Sequence, residues 1–175
     1  MNSLINKALL TLSLISGLIV TGFSQDKISN SGSVKFQSLS KKDVKAECVS
    51  LTSKINLSEK TIVVSVPIQG FEFKQSVMQK HFNSDKNMDS QQFPKAKFKG
   101  PITSEKRLSK DGVYKTSVNG QMTIKGISKP LTAEGTIEIV NDKVIIISTF
   151  IIKGNEFGLE TKYAKEIEVT INTTY

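Results

Sequence analysis

The strongest constraint on this chain is an alternation of residue character with a period of two. In residues 112–125 (GVYKTSVNGQMTIK), Tyr114, Thr116, Val118, Gly120, Met122 and Ile124 fall on one face, and Lys115, Ser117, Asn119, Gln121, Thr123 and Lys125 on the other. Only an extended strand places every second side chain on the same side, so the pattern describes a strand with one buried face. Leu131, Ala133, Gly135, Ile137 and Ile139 repeat it against Thr132, Glu134, Thr136 and Glu138, and Ile167, Val169 and Ile171 alternate with Glu166, Glu168 and Thr170. Turn signals separate these runs: Asp111-Gly112, Gly126 with Ser128-Lys129-Pro130, Asn141-Asp142 and Gly154-Asn155. Residues 32–38 and 43–57 also read as strands. In residues 61–69 (TIVVSVPIQ), Ile62, Val64, Val66 and Ile68 share a face, while Pro67 on the other face marks an edge or a bulge. Residues 144–152 (VIIISTFII) are apolar in both registers, as expected of a strand that a helix or a second subunit covers from outside.

One segment breaks the period. In residues 71–83 (FEFKQSVMQKHFN), Phe71, Lys74, Val77, Met78, His81 and Phe82 share a helical stripe, and a polar turn follows at residues 83–90. About eight strands and one short helix leave two all-β architectures, a closed barrel or a two-sheet sandwich. Strands of about 11–14 residues at ~3.3 Å each suit the tilted strands of a barrel. Ala133, Gly135 and Gly120 in the inward phase favour it too, because coiled strands need glycine kinks and an open lumen needs missing side chains. The expected fold is all-β, a single eight-stranded antiparallel barrel with a short helical insertion.

The N-terminus has a different character. Lys7 precedes an apolar run, residues 8–20 (ALLTLSLISGLIV), and small residues Gly22 and Ser24 follow it. This is the order of a cleavable export signal, with cleavage after Ser24; the run is too short for a membrane span, which needs ~20 apolar residues. The expected organisation is a signal peptide at 1–24, a flexible leader at 25–33 and one barrel domain at 34–175, in a periplasmic or secreted protein.

Composition restricts the chemistry. The 175 residues include one histidine and one cysteine, with a net charge of +8. A single cysteine excludes a disulfide framework and multi-cysteine metal sites. Cys48 shares a phase with Val44 and Ala46, which favours a buried, inert thiol over a reactive one. The lysines are scattered rather than clustered, so nucleic acid is not an expected partner. Lys95, Lys97 and Lys99 alternate with Ala96 and Phe98, which reads as the solvated face of a strand, with a patch for anionic lipid headgroups as the alternative. There is no Gly-x-Ser-x-Gly elbow, His-Glu-x-x-His, Cys-x-x-Cys, phosphate loop or dinucleotide fingerprint. An enzyme would have to recruit His81 with Asp85 and Ser76 or Ser84, and a metal would have to use His81, Asp85 and Asp89. The expectation is a binding protein rather than an enzyme, with no catalytic residue, metal ligand or cofactor assigned.

Several motifs occur together in order: His81-Phe82 at a helix end, the polar turn from Asp85 to Asp89, Phe93-Pro94 with Phe98, the hairpin from Gly120 to Pro130 (GQMTIKGISKP), and Phe157-Gly158. In this order and spacing the chain resembles the YceI-like family of exported bacterial lipid-binding proteins. It departs from the family at Gly154-Asn155-Glu156, where many members carry a basic residue with Ser or Asp. The resemblance implies a lipocalin-like barrel that binds an amphiphile with a long isoprenoid tail, such as a quinone or polyprenyl lipid, and carries or sequesters it in the bacterial envelope. By phase and size, Val66, Ile68, Met122, Phe150 and Ile152 are then the candidate lumen wall. The stripe of Phe71, Phe73, Val77, Met78 and Phe82 either packs as core or forms part of the tail's binding surface at the barrel mouth. An envelope stress or interaction protein, with its barrel filled by its own side chains and no lipid ligand, is the alternative. Transient contact with a membrane surface and a homodimer through residues 144–152 complete the expected partners.

Overall fold

Tight hairpins join the long strands that the alternation predicts. The computed structural model describes residues 26–159 and 162–175, so the predicted export signal at 1–24 lies outside the described residues. Strands β8 (Gly112–Ile124) and β9 (Ile127–Val140) pair along their whole length around Lys125 and Gly126. Both turn residues have positive φ, 50° and 76°, the left-handed conformation of a two-residue turn whose twist matches that of the strands. The turn is therefore shorter than expected, and Ser128, Lys129 and Pro130 belong to β9. Pro130 is tolerated there because the ladder to the next strand ends at Gly135 opposite Ser148, leaving Pro130 with a strand neighbour on one side only. Asn141 and Asp142, with φ of 48° and 63°, form the same kind of turn into β10 (Lys143–Ile152). That strand pairs with β11 (Ile167–Thr174), which pairs with β2 (Gly32–Ser38).

The sheet then returns to its beginning. Strand β1 (Asp26–Ser29) leads into β2, and β3 (Lys45–Cys48) leads into β4 (Thr52–Asn56). The β1–β4 and β2–β3 ladders keep a single register, Ser29 opposite Ser53 and Val34 opposite Cys48, so each pair of segments is one interrupted strand of one hairpin. Strand β4 pairs with β5 (Thr61–Pro67), β5 with β7 (Lys95–Thr103), and β7 with β8. After Pro67 a 3-10 turn at Ile68–Gly70 interrupts the third long strand, and the two-residue β6 (Glu72–Phe73) resumes it beside β3. Among the described residues eleven strands thus replace the expected eight, because three of the eight long strands are broken. The result is a closed antiparallel barrel, in which closure removes the unpaired edges of an open sheet.

Three expectations change. Residues 26–33 are not a flexible leader but carry β1 and the start of β2. Their order comes from backbone pairing to β4 and from polar contacts rather than apolar burial: Ile28 is 63% exposed, whereas Ser29 is buried. Asp26 meets the Lys54 ammonium at 2.6 Å and accepts from the Asn56 side-chain amide at 3.1 Å, and these partners hold its carboxyl below the usual range. The helix expected over residues 71–83 is confined to α1 (Ser76–Asn83), because Phe71-Glu72-Phe73 keeps the period of two and continues the interrupted strand. Finally, no helix of this chain covers β10 among the described residues: Val144, Ile146, Phe150 and Ile152 point inward, and Ile147 and Ile151 stay exposed at 47% and 40% in the single chain.

One end of the barrel is filled. Leu51, Ile55, Ile62, Ile102, Ile137 and Val144 are buried there, and Ser53 and Thr173 meet through their hydroxyls at 3.2 Å. Cys48 is fully buried, its Sγ 3.5 Å from the Ser50 hydroxyl. Gly135 allows a close approach of strands: a Cβ there would sit 2.3 Å from the Ile147 carbonyl oxygen. Gly135→Ala is expected to destabilise the fold by about 1–3 kcal/mol, because the obstacle is backbone that must move, and a denaturant titration checks this.

Tyr175 exchanges backbone hydrogen bonds with Val144 at 2.8 and 3.2 Å, while its hydroxyl is buried without a well-formed hydrogen bond. Burial pushes its pKa from the usual 10 up to about 12, and the nearby Ser53 hydroxyl offsets this only in part. The fold therefore favours the neutral phenol, and that contribution is complete below pH 10 and is lost as pH rises toward 12. Tyr175→Phe is expected to match the natural chain in stability at neutral pH and to exceed it by about 2–3 kcal/mol at pH 12, as measured by denaturant titrations across that range.

Candidate functional site

The other end of the barrel is hollow. A cavity of about 500 Å³ lies between α1 and a pair of stacked rings, Phe98 and Phe150, whose centroids are 6.5 Å apart. The strands place its walls by simple alternation: Val66 on β5, Met122 on β8, and Phe150 and Ile152 on β10 all turn inward. Ile68, in the 3-10 turn after Pro67, is only 2% exposed and closes the wall where the strand breaks. Phe71 and Phe73 follow, and Met78 and Phe82 reach in from α1. All nine residues singled out from sequence and resemblance line this one cavity.

Helix α1 lies across the mouth, and none of its residues is buried. Two features hold it. The Gln79 side chain bridges to the strand before it, donating to the Phe71 carbonyl at 2.7 Å and accepting from the Phe73 N–H at 3.1 Å. Phe82 packs into an aromatic cluster with Phe36, Phe71 and Phe73 at centroid distances of 5.6, 5.7 and 5.0 Å. The contacts are stacked, edge-to-face and tilted in turn, and aromatic pairs of this kind contribute ~0.5–1.5 kcal/mol each beyond area burial. Phe36, on β2, touches all three partners and was not singled out from the sequence. Val77 also lines the cavity yet remains 62% exposed, at the rim.

Other wall residues escaped the sequence reading for two different reasons. Val64, Ile124, Val169 and Ile171 share the inward phase of their strands, so periodicity could have found them. Met88, Leu159 and Ala164 come from irregular segments with no period to read. Most of the polar lining stands at the rim, Lys41, Gln75, His81 and Tyr163 among it, while Ser38 lines the cavity and is buried. The ammonium groups of Lys41 and Lys162 lie 5.3 and 5.1 Å from the Tyr163 ring centre, an arrangement favoured by the ring quadrupole.

The structure does not gather the alternative chemistry. His81 is exposed at the last turn of α1, and the Ser84 hydroxyl donates to the His81 carbonyl at 2.8 Å rather than facing the imidazole. His81, Asp85 and Asp89 do not converge, and among the described residues no three His, Cys, Asp or Glu side chains group at metal-binding range. Nor is the lumen filled by its own side chains along its whole length, as the alternative of a solid barrel requires. What the arrangement can do chemically is hold an apolar chain in a mostly apolar tunnel, with the cationic groups at the entrance.

Solved structures share this architecture. A polyisoprenoid binding domain from Saccharophagus degradans implicated in plant cell wall breakdown aligns with a TM-score of 0.68 at 11% identity, covering 86% of this chain and 97% of that one. BcnA of Burkholderia cenocepacia aligns with a TM-score of 0.65 at 14% identity, over 86% and 96%. A YCEI protein of Campylobacter jejuni aligns at 0.58 with 15% identity, over 100% and 92%. At these identities the likeness is one of fold. A comparison with curated proteins finds no match. The family profile described as the YceI-like domain matches residues 23–175, the whole of the barrel, and the chain therefore belongs to the YceI-like family.

Proposed function

We propose that this protein binds an isoprenoid-tailed amphiphile, a quinone or polyprenyl lipid, with the tail in the lumen and the headgroup at the rim, and that it carries or sequesters that lipid in the bacterial envelope after export. The observation that carries the proposal is the apolar cavity of about 500 Å³ open beneath α1. Each methylene-sized group moved from water into such a lumen contributes ~0.8 kcal/mol, so a tail needs no polar contact to bind tightly. The reading is supported by the family, by the polyisoprenoid binding named for the S. degradans neighbour, and, for the envelope, by the export pattern in residues 1–24. Flexible Met78, Met88 and Met122 suit a wall that adapts to a methyl-branched chain.

The test is to isolate the mature protein from a bacterial periplasm and compare its mass by native and denaturing mass spectrometry. A bound species that extracts into organic solvent and carries an isoprenoid tail is expected. An empty protein whose thermal stability is unchanged by added polyprenols or quinones would refute the proposal. Met122→Trp places a large ring in the lumen and is expected to lower polyprenol affinity roughly tenfold or more. Displacing even two methylene-sized groups costs ~1.6 kcal/mol of binding, and titration with a polyprenol while monitoring the melting temperature measures the loss.

A further inference from the structure

The cavity ends at a built partition. Below Phe98 and Phe150 lies a second void of about 40 Å³, lined by Ala133, Gly135, Ile137 and Ile146 among others, and Val64, Phe98, Phe150 and Ile171 form the boundary shared by both. The two rings are nearly parallel, with 24° between their planes, and come from strands on different parts of the wall. Phe98 lies against Gly120: a Cβ at position 120 would come within 2.8 Å of two atoms of the Phe98 ring. The missing side chain on β8 is therefore what lets this ring lie across the lumen.

From this geometry we propose that the Phe98–Phe150 pair is a floor that limits how much of a tail the barrel takes, to about four isoprene units, with any longer tail projecting from the mouth. This rests on the isoprenoid reading given above. The limit follows from volume. An apolar cavity of ~150 Å³ accommodates a six-carbon ring, so the upper cavity of about 500 Å³ accommodates roughly twenty carbons. The lower void of about 40 Å³ is too small for one more five-carbon unit. Buried residues at that end of the ladders, Ile55, Ile139 and Val144, close the path.

The test is a length series of all-trans polyprenols with two, three, four, six and nine isoprene units, titrated by calorimetry in detergent-free mixed solvent. For the natural chain, affinity is expected to rise at least about tenfold per unit up to four units and to change less than about threefold from four to nine, since additional units stay in water. In Phe98→Ala/Phe150→Ala the two voids join, and the plateau is expected to move to six units. Affinity that keeps rising through nine units in the natural chain, or a plateau at four that the double variant leaves in place, overturns the floor while leaving isoprenoid binding intact. Failure of every length to bind overturns the isoprenoid reading itself, and the floor with it. Should the double variant not fold, Phe150→Leu shortens one ring more gently, and the series on the natural chain decides by itself whether a plateau exists.

Discussion

Closure of one hydrogen-bonded ladder is the constraint on which the rest depends. An open sheet of these strands would leave unpaired edges and one apolar face without cover, whereas the ring formed through β1/β2 and β3/β4 gives each of the eight long strands a neighbour on both sides and turns the inward positions toward one axis. The inward phase of each strand then becomes a ring of side chains. Whether that ring meets at the centre depends only on side-chain size and on what lies across the axis. The same alternation therefore produces a solid core at one end and a tunnel at the other.

The hollow end is made by interruptions as much as by small residues. At Ile68–Gly70 the chain leaves the strand for a 3-10 turn, returns as β6, and then forms α1 across the mouth, so that its aromatic side chains gather at the entrance instead of filling the axis. Phe36, Phe71, Phe73 and Phe82 satisfy one another as a cluster. The same residue type does opposite work lower down, where Phe98 and Phe150 meet across the lumen and end it. Six phenylalanines divide these two tasks between them, and which task a ring performs is set by its height on the barrel.

Much of this was legible because period two is a local property. Strands β8, β9 and β11, the turn at Asn141-Asp142 and the outward lysines on β7 follow from residue character alone. Strand β1 was illegible because its inner side is polar: Ser29, Ser53 and Thr173 are buried together, so the order of residues 26–29 rests on pairing partners distant in sequence. The early end of the helix failed for a related reason. Phe71 and Phe73 fit both a helical stripe and an alternating strand, and only the neighbouring β3, through Ala46 and Glu47, selects the strand. Apolar residues on both faces of β10 do not bring a helix over it: Ile147 and Ile151 are exposed in the single chain, because period two reads which residues turn inward and not what lies outside the strand.

By itself the sequence determined an all-β chain with one short helix, inward and outward faces for most strands, and a scarcity of reactive side chains. These are properties of neighbouring residues and of counts, so no third dimension is needed to read them. Only the tertiary structure decided that the barrel closes through broken strands, that one half is packed and the other hollow, and that Phe98 and Phe150 stand between them. Those outcomes depend on which residues meet across the axis, and contacts such as Phe98 on Gly120 or Phe82 on Phe36 join residues that only the closed ring brings together.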